Sequence, residues 1–133
     1  MLLVAARSIL VAVAIFFLLL GLMALIRPSH ARQFLLGFAT SASKHYAELG
    51  TRFVAGGAML IVAPYSPHSV ALTAFGWLLI LTTAVMAIVP WRVHRRFAET
   101  AVPQALRFLP IIGTASLVLG GLLLWNGLTA SAA

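Results

Sequence analysis

Four long apolar stretches, separated by polar segments, dominate the pattern of this chain. They run from about 8 to 26, 45 to 64, 70 to 89 and 108 to 128. An α-helix needs roughly 20 apolar residues to cross a hydrocarbon core of about 30 Å. The pattern therefore predicts an all-α integral membrane protein with four transmembrane helices in a single membrane domain, residues 1–133. We expect the first helix to be retained rather than cleaved as a signal peptide, because its apolar run exceeds the usual roughly 7–15 residues and no Ala-x-Ala-like site follows it.

The two halves of the chain resemble each other. At an offset of 63 residues, positions 15–62 align with 78–125 without a gap. The identical pairs include Arg32/Arg95, Phe34/Phe97, Gly50/Gly113, Thr51/Thr114 and Gly57/Gly120. We therefore expect two tandem helical hairpins, about 8–64 and about 70–128, related as parallel repeats by an axis along the membrane normal.

The basic residues are distributed unevenly over the connections between the four stretches. Those near the first and third connections are Arg27, Arg32, Lys44, Arg52, Arg92, Arg95, Arg96 and Arg107. The turn between the second and third stretches has no Lys or Arg, and only Arg7 lies on that other side. By the positive-inside rule, this predicts both long connections in the cytoplasm and both termini outside.

Both basic connections have the periodicity of amphipathic helices. In the first, Ala31, Phe34, Leu35 and Phe38 share one helix face, and in the second Phe97, Ala98, Ala101 and Val102 supply an apolar side. We expect each to lie at the interface of the inner leaflet, with its cations against lipid headgroups. Each cation near an anionic leaflet contributes about 1 kcal/mol of attraction. The expected headgroup contacts are Arg27, Arg32, Arg92, Arg95, Arg96 and Arg107.

Composition narrows the class of protein further. The chain is 62% apolar and 8% charged, whereas average soluble domains are about 45–50% apolar and about 25% charged. Disorder is excluded because disordered chains are poor in apolar residues. The chain has no cysteine for a disulfide scaffold, and its net charge is +7. Because the membrane surface accounts for that charge, we expect no nucleic-acid partner.

The second apolar stretch contains an intramembrane charge ladder. Lys44, Glu48 and Arg52 are spaced i, i+4 and i+8, which places them on one helix face. One interpretation is a buried ion or proton site, since ionisable residues inside a membrane are often functional. The other, which we favour, is that Glu48 neutralises Arg52 while the arginine side chain extends toward the interface. The matching positions of the second half, Ile111 and Ala115, are apolar.

The sequence offers little chemistry for a metal site or for catalysis. His30, His45 and His94, with Glu48 and Glu99, lie near the cytoplasmic surface but lack the spacing of metal ligands. There is no glycine-rich phosphate loop, nucleophile motif or paired set of acid and base residues. We therefore expect no metal, no cofactor and no enzymatic activity.

Small residues recur in the second and fourth stretches. Gly and Ser at such positions permit close approach between helix backbones, as in the small-xxx-small pair Ser116 and Gly120. They fit packing within one chain and self-association between copies equally well. The residues are Gly50, Gly56, Gly57, Gly113, Ser116, Gly120 and Gly121.

The second half contains the segments AVMAIVPWRVHRRFAE and IIGTASLVLGGLLLW. In the first segment, a span ends in a Pro/Arg-rich sequence. In the second segment, a span begins with a Gly-x-x-Ser-like motif and ends with Leu-Leu-Trp. This half resembles a type of small bacterial inner-membrane protein of unknown function. The resemblance covers about half of the chain and implies a location in the bacterial plasma (inner) membrane without implying an activity.

These observations favour a non-enzymatic, multi-pass protein of the bacterial inner membrane. We expect an accessory or scaffold subunit or a lipid-interacting component, with anionic inner-leaflet lipids as partners. Docking to a larger membrane-protein complex or to further copies of the chain would use the small-residue faces. The alternative is a small oligomeric transporter or channel that uses Glu48 and Arg52, and an enzyme acting on lipids ranks third.

Overall fold

The computed structural model describes residues 1–37 and 40–131, and in that part of the chain it is all-α, with no strand. Short 3₁₀ turns at Ala63–Tyr65 and Leu106–Phe108 connect some of the helices. The helices are α1 (Leu2–Ile26), α2 (Pro28–Gly37), α3 (Ala42–Val62), α4 (Ser69–Ile88), α5 (Trp91–Ala105) and α6 (Leu109–Thr129).

The helix bounds follow local sequence signals. α1 ends just before Pro28 and α4 two residues before Pro90, because proline disfavours a helical conformation in the residue that precedes it. α3 begins after Ser41, whose side chain accepts a hydrogen bond from the backbone N–H of Lys44 at 3.3 Å. The long helices agree with the four predicted stretches to within a few residues, except that α1 begins earlier than expected, at Leu2.

In the part of the chain that the structure describes, three helical segments are long and apolar enough to cross a membrane. They are Leu2–Ile26, Ser69–Ile88 and the continuous segment Trp91–Thr129, which joins α5 to α6. α3 has a suitable length of 21 residues but is not among the three. Its N-terminal half contains Lys44, Glu48 and Arg52, and these charges lower its mean hydropathy.

The long helices pack in two close pairs. α1 packs along α6, α3 packs along α4, and a less extensive contact between α1 and α3 joins the pairs. Each close pair thus takes one helix from each predicted half, and direct contact between α4 and α6 is sparse. The predicted 63-residue offset matches α1 with α4 and α6 with α3. The two close pairs, α1 with α6 and α4 with α3, are therefore equivalent under this offset.

The buried side chains form two clusters at opposite ends of the bundle. The larger one includes Leu10 of α1, Met59 and Val62 of α3, Leu72 of α4 and Leu123 of α6. The smaller one lies where α1, α2, α5 and α6 meet, and it comprises Ala24, Ala31, Leu106 and Leu109. Most other apolar side chains on the long helices face outward.

The helix α2 packs on the protein as well as presenting polar residues to solvent. Ala31, on its predicted apolar face, is fully buried against the ends of α1 and α6, and Leu35 is half-buried beside it. The ring of Phe34 lies 6.1 Å from that of Phe16, so α2 folds back along α1. Phe38, the remaining residue of the predicted face, lies outside the described residues.

Glycine allows the backbones of each close pair to approach. A Cβ atom added at Gly21 of α1 would lie 2.7 Å from the carbonyl oxygen of Gly113 on α6, and one added at Gly120 would lie 3.0 Å from the oxygen of Ala14. In the other pair, a Cβ at Gly56 of α3 would lie 2.9 Å from the oxygen of Gly76 on α4. Backbone atoms move only with their whole helix, so these positions require glycine.

The small residues predicted to pack are divided by the structure into two sets. Gly56, Gly113, Ser116 and Gly120 are buried at helix contacts. Three others have no atom within 4 Å of an added Cβ, apart from their own helix backbone and chain neighbours. Packing within one chain therefore does not explain these three, which are Gly50, Gly57 and Gly121.

Adjacent glycines provide a matched test of this packing. We expect Gly120→Ala to destabilise the protein by about 1–3 kcal/mol, because the added methyl group meets Leu18 and the α1 backbone. Gly121→Ala, one residue further along and facing open space, should be neutral or stabilise by up to about 1 kcal/mol through helix propensity. Unfolding by SDS titration, followed by tryptophan fluorescence, measures both. Equal destabilisation by the two variants would contradict the assigned contact.

Candidate functional site

Two charged residues of α3, Glu48 and Arg52, form a partly buried ion pair. The Nη1 atom of Arg52 lies 3.6 Å from Oε1 of Glu48, one turn earlier on the same helix, and the two side chains are 30% and 26% exposed. The i, i+4 spacing places the two groups on one helix face. The predicted neutralisation of Arg52 by Glu48 therefore has the required geometry.

Arg52 also binds two hydroxyl groups of the neighbouring helix α4. Its Nη2–H donates to Oγ1 of Thr82 at 2.7 Å, and its Nε–H donates to Oγ1 of Thr83 at 3.3 Å. Thr82 in turn donates its hydroxyl proton to the carbonyl oxygen of Leu78 at 2.6 Å. Each nitrogen of the guanidinium group thus faces an oxygen, as a charge within an apolar bundle requires.

Lys44, the third residue of the predicted ladder, points away from Glu48. Its ammonium group donates to the carbonyl oxygen of Gly37, at the end of α2, and to Oγ1 of Thr40, at 3.2 and 3.0 Å. The final carbonyl groups of a helix lack partners within the helix and attract cations. The ladder is therefore discontinuous, with Glu48 and Arg52 paired and Lys44 tying α2 to the start of α3.

Two histidines meet where α3 approaches α5. The rings of His45 and His94 have centroids 4.8 Å apart, and His45 is buried, at 3% exposure. The Nδ1 atom of His45 is buried and has no hydrogen-bond partner. His30, by contrast, is exposed on α2. In the part of the chain that the structure describes, no group of three or more His, Asp or Glu side chains could hold a metal ion.

The predicted headgroup contacts are all exposed and lie at one end of the bundle. Contacts between the C-terminal half of α1 and the N-terminal half of α6, and between His45 and His94, place both connections at that end. Arg95 is also paired with Glu99, at 2.9 Å. We call the following residues the basic end: Arg27, Arg32, Arg92, Arg95, Arg96 and Arg107.

The opposite end of the bundle is closed by contacts that the sequence analysis missed. Arg7 donates to the carbonyl oxygens of Gly127 and Leu128 at the end of α6, both at 2.9 Å. Oδ1 of Asn126, which is fully buried, accepts from the backbone N–H of His68 at 3.2 Å. A single amide side chain in an otherwise apolar helix could have indicated the buried contact of Asn126. In the same way, the adjacent threonines Thr82 and Thr83 could have indicated a polar contact on α4.

Comparison with known proteins found no matching family, no similar curated protein and no similar solved structure.

The contact between Arg52 and Thr82 gives a direct test of the site. We expect Thr82→Val to destabilise the protein by about 1–2 kcal/mol, because the guanidinium group loses its shortest hydrogen bond. Thr73→Val, at an exposed position of the same helix, serves as the control and should leave stability nearly unchanged. SDS titration of both variants provides the comparison, and an unaffected Thr82→Val variant would show that the Arg52 contact carries no stability.

Proposed function

We propose that this chain is a four-span protein of the bacterial inner membrane that binds anionic lipid at its basic end and serves as a non-enzymatic scaffold or accessory subunit. The observation that carries the proposal is the position of its charge. The six exposed arginines of the basic end lie on or beside α2 and α5, next to helices that are apolar enough to cross a membrane. Both acidic residues of the chain, Glu48 and Glu99, are paired with arginines, so little negative charge opposes binding of an anion.

In this proposal α3 is the fourth membrane span. Its 21 residues extend about 31 Å at 1.5 Å per residue, which matches a hydrocarbon core of about 30 Å. The cost of its charges is offset within the protein, because Arg52 is bound by Glu48, Thr82 and Thr83. Extensive packing along α4, one of the helices apolar enough to cross a membrane, supports the same placement.

The proposed topology follows from the same contacts. Both basic connections lie at one end of the bundle, so the positive-inside rule assigns that end to the cytoplasm and both termini to the outer side. The duplication of two hairpins is part of this proposal. It is supported by the correspondence of the α1–α6 and α4–α3 pairs, whereas the α1–α3 contact has no equally extensive counterpart between α4 and α6.

The contacts of Arg52 favour a structural role over transport. A residue that moves an ion or a proton needs access to water and freedom to change partners, whereas Arg52 is bound to two elements at three points. Two apolar grooves on the surface, one along α1 and one along α6, are lined by neither Glu48 nor Arg52. Gly50, Gly57 and Gly121, where an added Cβ would meet open space, leave faces on α3 and α6 for a partner protein or a second copy.

Binding of anionic lipid by the basic end tests the proposal. We expect the purified protein to retain phosphatidylglycerol in preference to phosphatidylcholine. Replacing Arg92, Arg95 and Arg96 together by Gln should reduce that preference by roughly one to two orders of magnitude, because each cation contributes about 1 kcal/mol. Mass spectrometry of the intact protein released from mild detergent measures the retained lipid.

A charge-preserving variant provides the control. Replacing the same three arginines by lysine keeps the charge and should keep the preference, since attraction to the leaflet depends mainly on net charge. An unchanged preference in the Gln variant would contradict the lipid-binding role of α5. Purification of the native chain as a free monomer, without retained anionic lipid or a copurifying protein, would contradict the proposal as a whole.

A further inference from the structure

An apolar groove runs along the C-terminal half of α1 beneath α2. Its volume is about 470 Å³, and its lining is almost entirely hydrocarbon. The lining side chains include Phe16, Leu19, Leu22, Met23 and Ile26 of α1 and Phe34 of α2. Arg27, which follows α1, is the one charged residue that lines it. We call this surface the α1–α2 groove.

The fold of α2 creates the groove. The chain reverses at Arg27, and burial of Ala31 in the cluster that contains Ala24 holds α2 beside the end of α1. Phe34 then reaches Phe16, with ring centroids 6.1 Å apart. Phe16 precedes Arg27 by 11 residues, a distance of about 16 Å along the helix axis. The groove therefore extends from the cation to roughly half the depth of a hydrocarbon core of about 30 Å.

The chemistry of the groove fits an amphiphile with one anionic group. The apolar lining accepts a hydrocarbon chain, and Arg27, an exposed residue that lines the groove, carries a guanidinium group that can form paired hydrogen bonds to a phosphate. The carboxylates of the chain are engaged elsewhere, with Arg52 and Arg95. Neither carboxylate neutralises Arg27, so its guanidinium group can bind an anionic ligand.

The groove also opens to the side. Leu19, Leu22 and Ile26 are 61%, 49% and 67% exposed, so a molecule in the groove would remain in contact with the surrounding bilayer. A two-chain lipid can place one chain in the groove and leave the other among its neighbours, which a closed pocket would not allow.

We propose that the α1–α2 groove is a binding site for an anionic phospholipid, with one acyl chain along α1 and the phosphate on Arg27. This site rests on the proposed function, because it requires α1 to lie in a membrane with its C-terminal end at the inner leaflet. It differs from the general attraction of the basic end because it combines a defined apolar groove with one particular cation, Arg27.

Two pairs of variants compare residues that line the groove with matched residues outside it. Arg27→Gln removes the cation of the groove, and Arg32→Gln removes an exposed cation of α2 that does not line it. Leu19→Trp fills the groove, and Leu81→Trp adds the same bulk on α4, where the leucine is 59% exposed compared with 61% for Leu19. The full chain in mild detergent is incubated with phosphatidylglycerol, phosphatidylcholine or palmitate, and the retained molecules are counted by mass spectrometry of the intact protein.

The site predicts one phosphatidylglycerol molecule that resists removal from the native chain. Arg27→Gln should reduce its retained fraction by more than about tenfold, because the variant loses the hydrogen bonds to the phosphate as well as the general attraction of one cation. Leu19→Trp should also reduce it, Arg32→Gln should reduce it only about fivefold through the general attraction of the basic end, and Leu81→Trp should stay close to the native chain. This pattern would support both the cation and the groove.

Several outcomes would overturn the site. Equal losses in Arg27→Gln and Arg32→Gln would leave only the general attraction of the basic end, and the proposed function would survive. Full retention in Leu19→Trp would show that no chain occupies the groove. Displacement of the phospholipid by palmitate, with the same dependence on Arg27, would assign the groove to a fatty acid. A dimer abolished by Leu19→Trp would assign it to a second copy.

If the native chain shows no preference for phosphatidylglycerol, the proposed function and the site both fail.

Discussion

Each close helix pair in this protein is held by backbone contact at glycine. Hydrocarbon solvates an apolar side chain as well as another helix does, so helices in a membrane associate through van der Waals packing and hydrogen bonds. Gly21 and Gly113 bring α1 onto α6, and Gly56 and Gly76 bring α3 onto α4. These contacts set the helix pairs, and the outward faces of the helices remain apolar.

The partly buried charge of Arg52 depends on the same close approach of α3 and α4. Arg52 lies one turn before Gly56 on α3, and Thr83 lies about two turns after Gly76 on α4, so the hydroxyl groups come within reach of the guanidinium group only if the backbones are close. Separation of α3 from α4 would leave a cation in an apolar setting with Glu48 alone. Packing and electrostatics at this point therefore stabilise each other, and together they allow a charged helix to lie within an apolar bundle.

The sequence predicted the local features of this fold well. Helix positions follow from apolar runs and prolines, and the Glu48–Arg52 pair follows from i, i+4 spacing, because both depend on neighbouring residues. The helix partners could not be predicted in this way, since a uniformly apolar helix such as α6 presents no single face that identifies its neighbour. For the same reason the sequence could not show that Gly120 packs while Gly121 faces open space. Fold-back of α2 was likewise missed, because Ala31 and Leu35 fit a lipid-facing helix as well as a protein-facing one.

The central claim is that α3 crosses the membrane despite its charges. The chain contains no cysteine, so single cysteines can be placed at the exposed residues Ser29, before α3, and Pro67, after it. Labelling with a membrane-impermeant maleimide in spheroplasts of a bacterial expression host then reports the side on which each residue lies. The account predicts that Pro67→Cys is labelled at once and that Ser29→Cys is labelled only after the membrane is disrupted. Labelling of both residues from the same side would contradict it.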